Sequence, residues 1–256
     1  MIRRREDIIE IRLLTLVLCA FWCGCGFLPL TRASRKGADV LEAASKPPPL
    51  DSEFDSCGPA GSRPDYVLNR RKNRVDEGGY IPVPWTVIAR LPWPRGVAYR
   101  FRNQWSGGET RAVARYEGAP VTIEGYLTRY RLEVPEPPNC YGRAPRDRDD
   151  HMWLAEKPHE HDRQSVVVEI TPRVRASHSH WTEDAIAALV AQQRRVRVSG
   201  WLLLDQMHPE EVGFNRITLW EVHPILRLEW LRRDSTWVSL DSLSPLADTI
   251  RATPGR

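Results

Sequence analysis

Residues 119–132, APVTIEGYLTRYRL, decide the fold. Their apolar side chains alternate with polar ones over most of the stretch, and Gly125 stands in the middle of it. An alternation with a period of two is typical of a β-strand that buries one face. A glycine inside such a strand marks a bend or the close approach of another backbone. The stretch therefore predicts one long, coiled strand of a β-protein.

The rest of the chain predicts four more strands and one helix. The strands are expected at 151–155, 165–171, 195–204 and 216–231, the last interrupted at Pro224. The helix is expected at 183–194, with Thr182 as its N-cap. The predicted fold class is all-β with one helix: a five-stranded barrel in the order strand, strand, strand, helix, strand, strand, preceded by a proline-rich packing arm. An SH3-like barrel is the alternative, and a full helix between strands disfavours it.

This order gives residues 119–231 a resemblance to an OB-fold domain. Two short stretches, Lys72-Asn73-Arg74 and the sequence WEVHP at 220–224, resemble stretches of a family of exported bacterial proteins of unassigned function. The resemblance implies a fold and a compartment, and it is nearly silent on activity. OB-folds usually bind ligands across their second and third strands, between the loops that join strands 1–2 and 4–5.

The N-terminus predicts export. Cations at positions 3–5 and 12 precede an uncharged apolar run at 13–30, as in a signal peptide or an uncleaved membrane anchor. Cys25 after Gly24 leaves open a lipoprotein site. The expected organisation is a signal or anchor at 1–30, a disordered linker at 31–56, a packing arm at 57–116, the barrel at 117–233 and a C-terminal tail at 234–256.

The charge distribution excludes a general nucleic-acid binder. The chain has 37 Lys and Arg against 33 Asp and Glu, a net charge of +4. All of that excess lies in residues 1–36, which hold seven cations and three acids, so the remaining residues are neutral. A neutral domain lacks the basic surface that phosphate binding requires. The expected partners are an envelope component or a polar polymer, and the membrane through the N-terminal segment.

Two cysteines predict a disulfide. Three of the five cysteines lie in the N-terminal apolar segment, which leaves Cys57 and Cys140. In an oxidising compartment two such cysteines most simply form a bridge. A Cys57–Cys140 bridge would hold the arm against the loop between the first two barrel strands.

The loops between strands 1–2 and 4–5 supply the candidate ligand site. Both loops are longer than a tight turn requires and rich in charged residues. The arginines favour an anionic or polar polymer, with the tryptophan as a stacking platform. A solvated, salt-bridged loop pair is the open alternative. The candidate ligand-binding residues are Arg143, Arg146, Arg148, His151, Trp153, Asp205 and His208.

A metal site is the second alternative, with His151, His178 and His180 as ligands. His178 and His180 are two positions apart and would share a face on extended backbone. The sequence contains no HExxH motif, EF-hand loop, nucleophile elbow or dinucleotide fingerprint. Glu221 and His223 are expected to form a structural ion pair, with a polar patch outside the barrel as the alternative. The cations at 70–74 are expected on a solvated face.

The sequence therefore predicts an exported, envelope-associated OB-fold binding module without catalytic activity and with no cofactor. A metal-dependent hydrolase or nuclease is one alternative, and a structural envelope protein is the other.

Overall fold

Five strands close into a barrel in the computed structural model, which describes residues 32–48, 54, 56–242 and 244–246. Two further strands extend the sheet, and short helices lie around it. In chain order the elements are α1 (Arg32–Ala44), α2 (Tyr66–Lys72), β1 (Ile81–Pro82), α3 (Trp85–Ala89), α4 (Gly107–Ala114), β2 (Pro120–Leu132), β3 (Asp150–Ala155), β4 (Ser165–Ile170), α5 (Pro172–Arg175), α6 (Glu183–Ala191), β5 (Arg195–Leu204), β6 (Trp220–Leu231) and β7 (Trp237–Ser239).

The barrel contains antiparallel and parallel pairs. Strands β2, β3 and β4 form an antiparallel meander, and β6 then lies parallel to β4. Strand β5 is antiparallel to both β6 and β2 and closes the barrel. Strand β1 adds to β2, and β7 adds to β6. The predicted all-β barrel class is confirmed.

Two glycines sit where strands approach too closely for a side chain. A Cβ at Gly125 would lie 2.3 Å from the carbonyl oxygen of Ala155 at the end of β3. A Cβ at Gly200 would lie 2.2 Å from the carbonyl oxygen of Pro224. The β5–β6 register shifts at Gly200, so the proline, which cannot donate to the ladder, lies at an irregularity. For this reason β6 continues through Pro224, whereas the sequence predicted an interruption there.

The one predicted helix is α6, and its capping follows the sequence. The Thr182 hydroxyl accepts a hydrogen bond from the Ala185 backbone amide at 3.2 Å. Glu183 and Asp184 lie in the first turn, where acidic side chains suit the positive end of the helix dipole. The helix buries Ile186 and Leu189 against the barrel core.

Residues 57–116 pack against the barrel. Val83, Val87 and Ile88 are buried in the same hydrophobic core as the strands. The Trp85 indole donates to the carbonyl oxygen of Leu154 at 2.8 Å. A Cys57–Cys140 disulfide joins this arm to the loop between β2 and β3, with the two Cα atoms 5.9 Å apart. The predicted bridge is confirmed.

The linker and the tail differ from the sequence-based expectation. Instead of a disordered linker throughout 31–56, residues 32–44 form α1, which buries Ala38 and Leu41. Gly37 makes this possible, because a Cβ there would lie 2.8 Å from a methyl group of Val87. Two apolar residues three apart are too weak a period to identify a helix from sequence. In the expected tail, β7 forms because β6 offers it an edge.

The predicted signal segment at 1–30, with Cys25, lies outside the described residues. Within the described part of the chain, no helix has the length and apolar character needed to cross a bilayer.

Candidate functional site

Strands β3, β4 and β6 are buried on both faces near the site. One face carries the apolar side chains of the barrel interior, such as Met152, Val168 and Val222. The other face, here called the outer face, carries His151, Glu169, Glu221 and His223, which are at most 3% exposed. The register sets His151 opposite Glu169 and aligns β4 with β6 at this level. Alternation therefore places polar groups on a face that protein covers.

The cover comes from the arm and two loops. Asn73, which follows α2, donates from its side-chain amide to the carbonyl oxygen of Pro138 at 2.8 Å. The backbone amide of Glu133 donates to the carbonyl oxygen of Asp149 at 2.8 Å, which closes the 133–149 loop. The 205–219 loop packs from the other side. Together they enclose a polar cluster: Lys72, Glu133, Glu136, Asp149, His151, Glu169, Asp205, His208, Arg216, Glu221 and His223.

His151 bridges two carboxylates. Its Nδ1 lies 2.8 Å from Glu133 Oε1 and 2.9 Å from Glu169 Oε1. Burial opposes the charge of the imidazole, yet the two carboxylates prevail and raise the pKa of His151 to about 9. The pKa of Glu133 falls to about 2 despite its burial, because His151 hydrogen-bonds to it. His151 is therefore a buried cation at neutral pH.

His223 faces three carboxylates in the deepest part of the cluster. Its Nδ1 lies 3.1 Å from Glu169 Oε2 and 3.2 Å from Glu221 Oε1, and its Nε2 lies 3.5 Å from Asp149 Oδ2. Within the described part of the chain, neither nitrogen makes a hydrogen bond of acceptable geometry, nor do these three oxygens. Donor atoms of Asp149, Glu169 and His223 lie within 4.8 Å of one another, close enough to hold a metal ion.

The electrostatic state of this deep group is unusual. Burial raises the pKa of the Asp149 carboxyl group to about 7. The pKa of Glu169 lies well below its usual value in spite of burial, because His223 and His151 stabilise its charge. Burial opposes the charge of His223, but Glu169 raises its pKa to about 10.

Asp205 organises the other side of the cluster. Its Oδ2 accepts from Arg216 Nη1 at 3.0 Å and lies 2.7 Å from His208 Nδ1. Burial disfavours its charge, yet Arg216 and His208 lower the pKa of Asp205. The hydrogen bond with Asp205 raises the pKa of His208 to about 9. Arg216 also lies 3.4 Å from Glu221 Oε2, which links the two halves.

The polar cluster has more acids than cations. It holds six carboxyl groups, two permanent cations and three histidines. Even with all three histidines protonated, the acids exceed the cations by one. At its rim Arg131 pairs with Glu133 and Glu211 contacts Arg216, and these two flanking charges offset each other. Buried charge of one sign is costly unless a counter-charge compensates it.

A cavity of about 200 Å³, here called the loop cavity, opens from this cluster to solvent. His151 and Glu169 form part of its floor, and the more exposed Arg131, Val134 and His208 stand at its mouth. The 133–149 and 205–219 loops both contribute to its walls. A small polar ligand could enter it.

Three of the seven candidate ligand-binding residues lie at the loop cavity: His151, Asp205 and His208. The three arginines of the 133–149 loop do not line it. Arg143 is exposed, and its carbonyl oxygen accepts from Arg148 Nε at 3.1 Å. Arg146 is exposed beside the disulfide.

Trp153 is fully buried, in contrast to the expected stacking platform. Arg129 and Arg131 lie 4.6 Å and 5.2 Å from its ring centroid, and His151 packs against it at 4.2 Å. The alternating pattern places Trp153 on the outer face, and protein side chains occupy the ring surface that a ligand would need.

The three histidines of the metal alternative lie in different environments and do not form one group. His178 Nδ1 lies 2.8 Å from Asp241 Oδ1, and its ring stacks on Trp181 at 4.0 Å. His180 is exposed. Across the described residues, Asp149, Glu169 and His223 are the group with metal-binding spacing, and it includes none of the three.

Sequence reasoning missed most of the polar cluster. Glu221 and His223 do lie side by side, as expected of a structural pair, with His223 Nδ1 3.2 Å from Glu221 Oε1. Lys72 was expected on a solvated face, but it is buried. The alternation of side chains in β6 correctly places Glu221 and His223 on the outer face of the strand. The neighbouring sequence does not show that the arm covers this face. Arg216 was assigned to a strand, whereas it lies in the loop before β6. One signal was available: polar residues in strands whose other side chains are apolar, as at Glu169 in SVVVEI.

A larger groove, about 1030 Å³, runs along β2, β5 and β6 beside the arm. Its charged side chains neutralise each other: Arg197 binds Glu229 at 2.7 Å, and Arg195 binds Glu124 at 2.8 Å. These two ion pairs leave their four side chains compensated, in contrast to the buried carboxylates of the polar cluster.

The chain matches no family model, no curated protein and no solved structure.

Proposed function

We propose that this chain is an exported binding protein, held at the cell envelope by its N-terminal segment, that takes a small polar ligand into the loop cavity. One observation carries the proposal. Two loops and the arm enclose a cavity whose floor consists of buried, charged side chains with polar atoms that lack partners. A purely structural interface would be more stable with apolar side chains of similar volume, because buried charges are costly. A ligand that binds to these polar atoms would explain why charged side chains form the floor of the cavity.

An OB-fold assignment supports the location of the site. The barrel has five strands with a helix between the third and the fourth, and β2 closes against β5. In that fold ligands bind across strands two and three, between the 1–2 and 4–5 loops. Here these correspond to β3 and β4, and to the 133–149 and 205–219 loops. The loop cavity lies between those two loops.

Two features support the envelope as the compartment. The basic start followed by an apolar run is typical of an export signal or anchor. The Cys57–Cys140 disulfide is compatible with an oxidising compartment.

The size of the cavity restricts the ligand. At about 30 Å³ for each water of liquid volume, 200 Å³ corresponds to roughly six or seven waters. This volume suits a small polar molecule, an ion with its waters, or one end group of an envelope polymer. It does not suit an internal polymer segment stacked on Trp153.

The test is a blocked cavity. Val134 stands at the mouth and is 65% exposed, so Val134→Trp should fold normally and cover the opening. Val67 is 49% exposed on α2 and does not line the cavity, so Val67→Trp is the matched control. The unfolding temperature of the full chain would be measured with phosphate, citrate, amino acids, amino sugars, polyamines and divalent cations. We expect at least one to stabilise the wild type and Val67→Trp but not Val134→Trp. If none stabilises the wild type, or if Val134→Trp responds equally, the proposal fails and a structural envelope protein is favoured.

A metal-dependent hydrolase is the second candidate, favoured by the spacing of Asp149, Glu169 and His223. Metal-assisted hydrolysis needs an ion with an open coordination position beside the substrate. Turnover of bis(p-nitrophenyl) phosphate with added zinc or manganese, lost in Asp149→Asn, would favour this function over simple binding.

A further inference from the structure

We infer that Asp149, Glu169 and His223 form a divalent metal site beneath the loop cavity, with Zn²⁺ or Mn²⁺ as the ion. This inference rests on the proposed function, since it names the ligand class for which the cluster is built. It uses a set of residues different from the His151, His178 and His180 set that the sequence suggested.

The three donor groups come from rigid and separate parts of the fold. Glu169 lies in β4 and His223 in β6, and these strands are paired with each other. Asp149 directly precedes β3, and Asn139 donates to its Oδ1 at 2.7 Å. That bond leaves Asp149 Oδ2 directed at His223, 3.5 Å away. The site is therefore preorganised by backbone pairing and by a hydrogen bond to the ligand that the loop supplies.

The donor atoms have the pattern of a ligand shell. Among the described residues, Asp149 Oδ2, Glu169 Oε2 and both His223 nitrogens are buried without a hydrogen bond, and one of the two nitrogens can bind an ion. Buried polar atoms are rarely left without partners, and each such group requires an explanation. Donors bound about 2.1 Å from one ion lie at most about 4.2 Å apart. The three donors lie within 4.8 Å of one another, so side-chain shifts of a few tenths of an ångström suffice.

The charge of the surroundings points to a cation. The polar cluster holds six carboxyl groups and two permanent cations, Lys72 and Arg216. The two permanent cations pair with other acids: Lys72 Nζ lies 3.6 Å from Glu136, and Arg216 binds Asp205 and Glu221. A divalent ion among Asp149, Glu169 and His223 would compensate the remaining buried negative charge.

The donor types restrict the ion. One imidazole and two carboxylates are a mixed nitrogen and oxygen set with no thiolate. Imidazole suits zinc and other first-row ions, whereas calcium takes oxygen ligands only. Glu221 Oε1, 3.2 Å from His223 Nδ1, can orient the imidazole as an outer carboxylate.

The experiment is metal binding by the full chain after removal of metals with a chelator. Zinc chloride and manganese chloride would be titrated separately by calorimetry, and bound metal would be measured by mass spectrometry. The variants are Asp149→Asn and Glu169→Gln, which keep side-chain shape and remove a charge. The matched control is Asp65→Asn, since Asp65 is also buried but caps α2 and binds the Arg102 backbone amide instead.

We expect one ion per chain for the wild type and Asp65→Asn, and binding weaker by about 100-fold or more in both site variants. Metal-free Asp149→Asn should unfold at the same temperature as the wild type or higher, because the amide keeps the shape of the side chain and removes a carboxyl group whose buried charge is costly. If neither ion binds at one equivalent, or if the site variants bind as tightly as Asp65→Asn, the metal inference is overturned.

A second measurement needs no variant. Bound Mn²⁺ should broaden the imidazole resonances of His223 before those of His178, which lies with Asp241 and Trp181. Broadening of His178 first would overturn the inference. If metals fail but an organic ligand still distinguishes Val134→Trp from Val67→Trp, the binding function survives and only the metal assignment falls.

Discussion

Removal of the Cys57–Cys140 disulfide should destabilise the protein by about 4–5 kcal/mol. The bridge joins residues 83 positions apart. In the chain-entropy model, a cross-link over that length lowers the entropy of the unfolded chain, which raises its free energy by this amount at 25 °C. The folded state should change little in Cys57→Ala/Cys140→Ala. The arm keeps the bond from the Ser62 amide to the carbonyl oxygen of Pro137 at 2.8 Å, and that from Asn73 to Pro138. For about 200 ordered residues this loss corresponds to a fall in unfolding temperature of roughly 10 °C.

The assay is urea unfolding of the wild type and the double variant, followed by tryptophan fluorescence and by circular dichroism. Wild type treated with a reductant is the control, because it has the same loss of cross-link without a change of side chain. Both forms should lose a similar free energy of unfolding. A loss below about 1 kcal/mol in both would refute the reasoning, because it would show that the cross-link does not restrict the unfolded chain to the extent that the chain-entropy model requires.

Two further predictions follow from the barrel and the loop cavity. Gly125→Ala should cost about 1–3 kcal/mol, because the added methyl group would meet the backbone carbonyl at the end of β3; equal urea midpoints for variant and wild type would contradict this. His208 has a folded pKa of about 9, above its unfolded value, so its contribution to stability is complete below pH 6.5 and is lost as the pH rises through 9. Because this side chain is 44% exposed, solvent screening reduces the effect to about 1 kcal/mol. The decrease in the free energy of unfolding between pH 6 and pH 9.5 should therefore be smaller in His208→Gln than in the wild type. Equal decreases in the two proteins would show that the His208–Asp205 pair does not cause this pH dependence.

The barrel could be predicted from sequence because each strand carries its own signal. The alternation in β2, the β-branched run in β4 and the cap at Thr182 are local features. The disulfide followed from elimination among five cysteines. These inferences need only neighbouring residues or simple counting.

The polar cluster could not be predicted in the same way, because it depends on contacts between distant positions. Asp149, Glu169 and His223 are separated by 20 and 54 positions, and their proximity requires the parallel pairing of β4 with β6. Parity correctly places Glu221 and His223 away from the barrel interior. Only the packing of the arm shows that the outer face is covered by protein and not by solvent. A charged residue that points away from a barrel interior is ordinarily predicted to be exposed. Here that prediction is wrong, because the arm covers the outer face.

The covered outer face also affects the order in which the chain can be assembled. Lys72 is synthesised 151 positions before His223, so the lid of the polar cluster exists long before its floor. Until β6 has paired with β4, the acidic side chains of that floor remain hydrated. The arm can meanwhile bind β2, β3 and the loop between them, which are synthesised before β6. In a chain that emerges from its N-terminus, the polar cluster therefore closes only when β6, the last long strand of the barrel, is added.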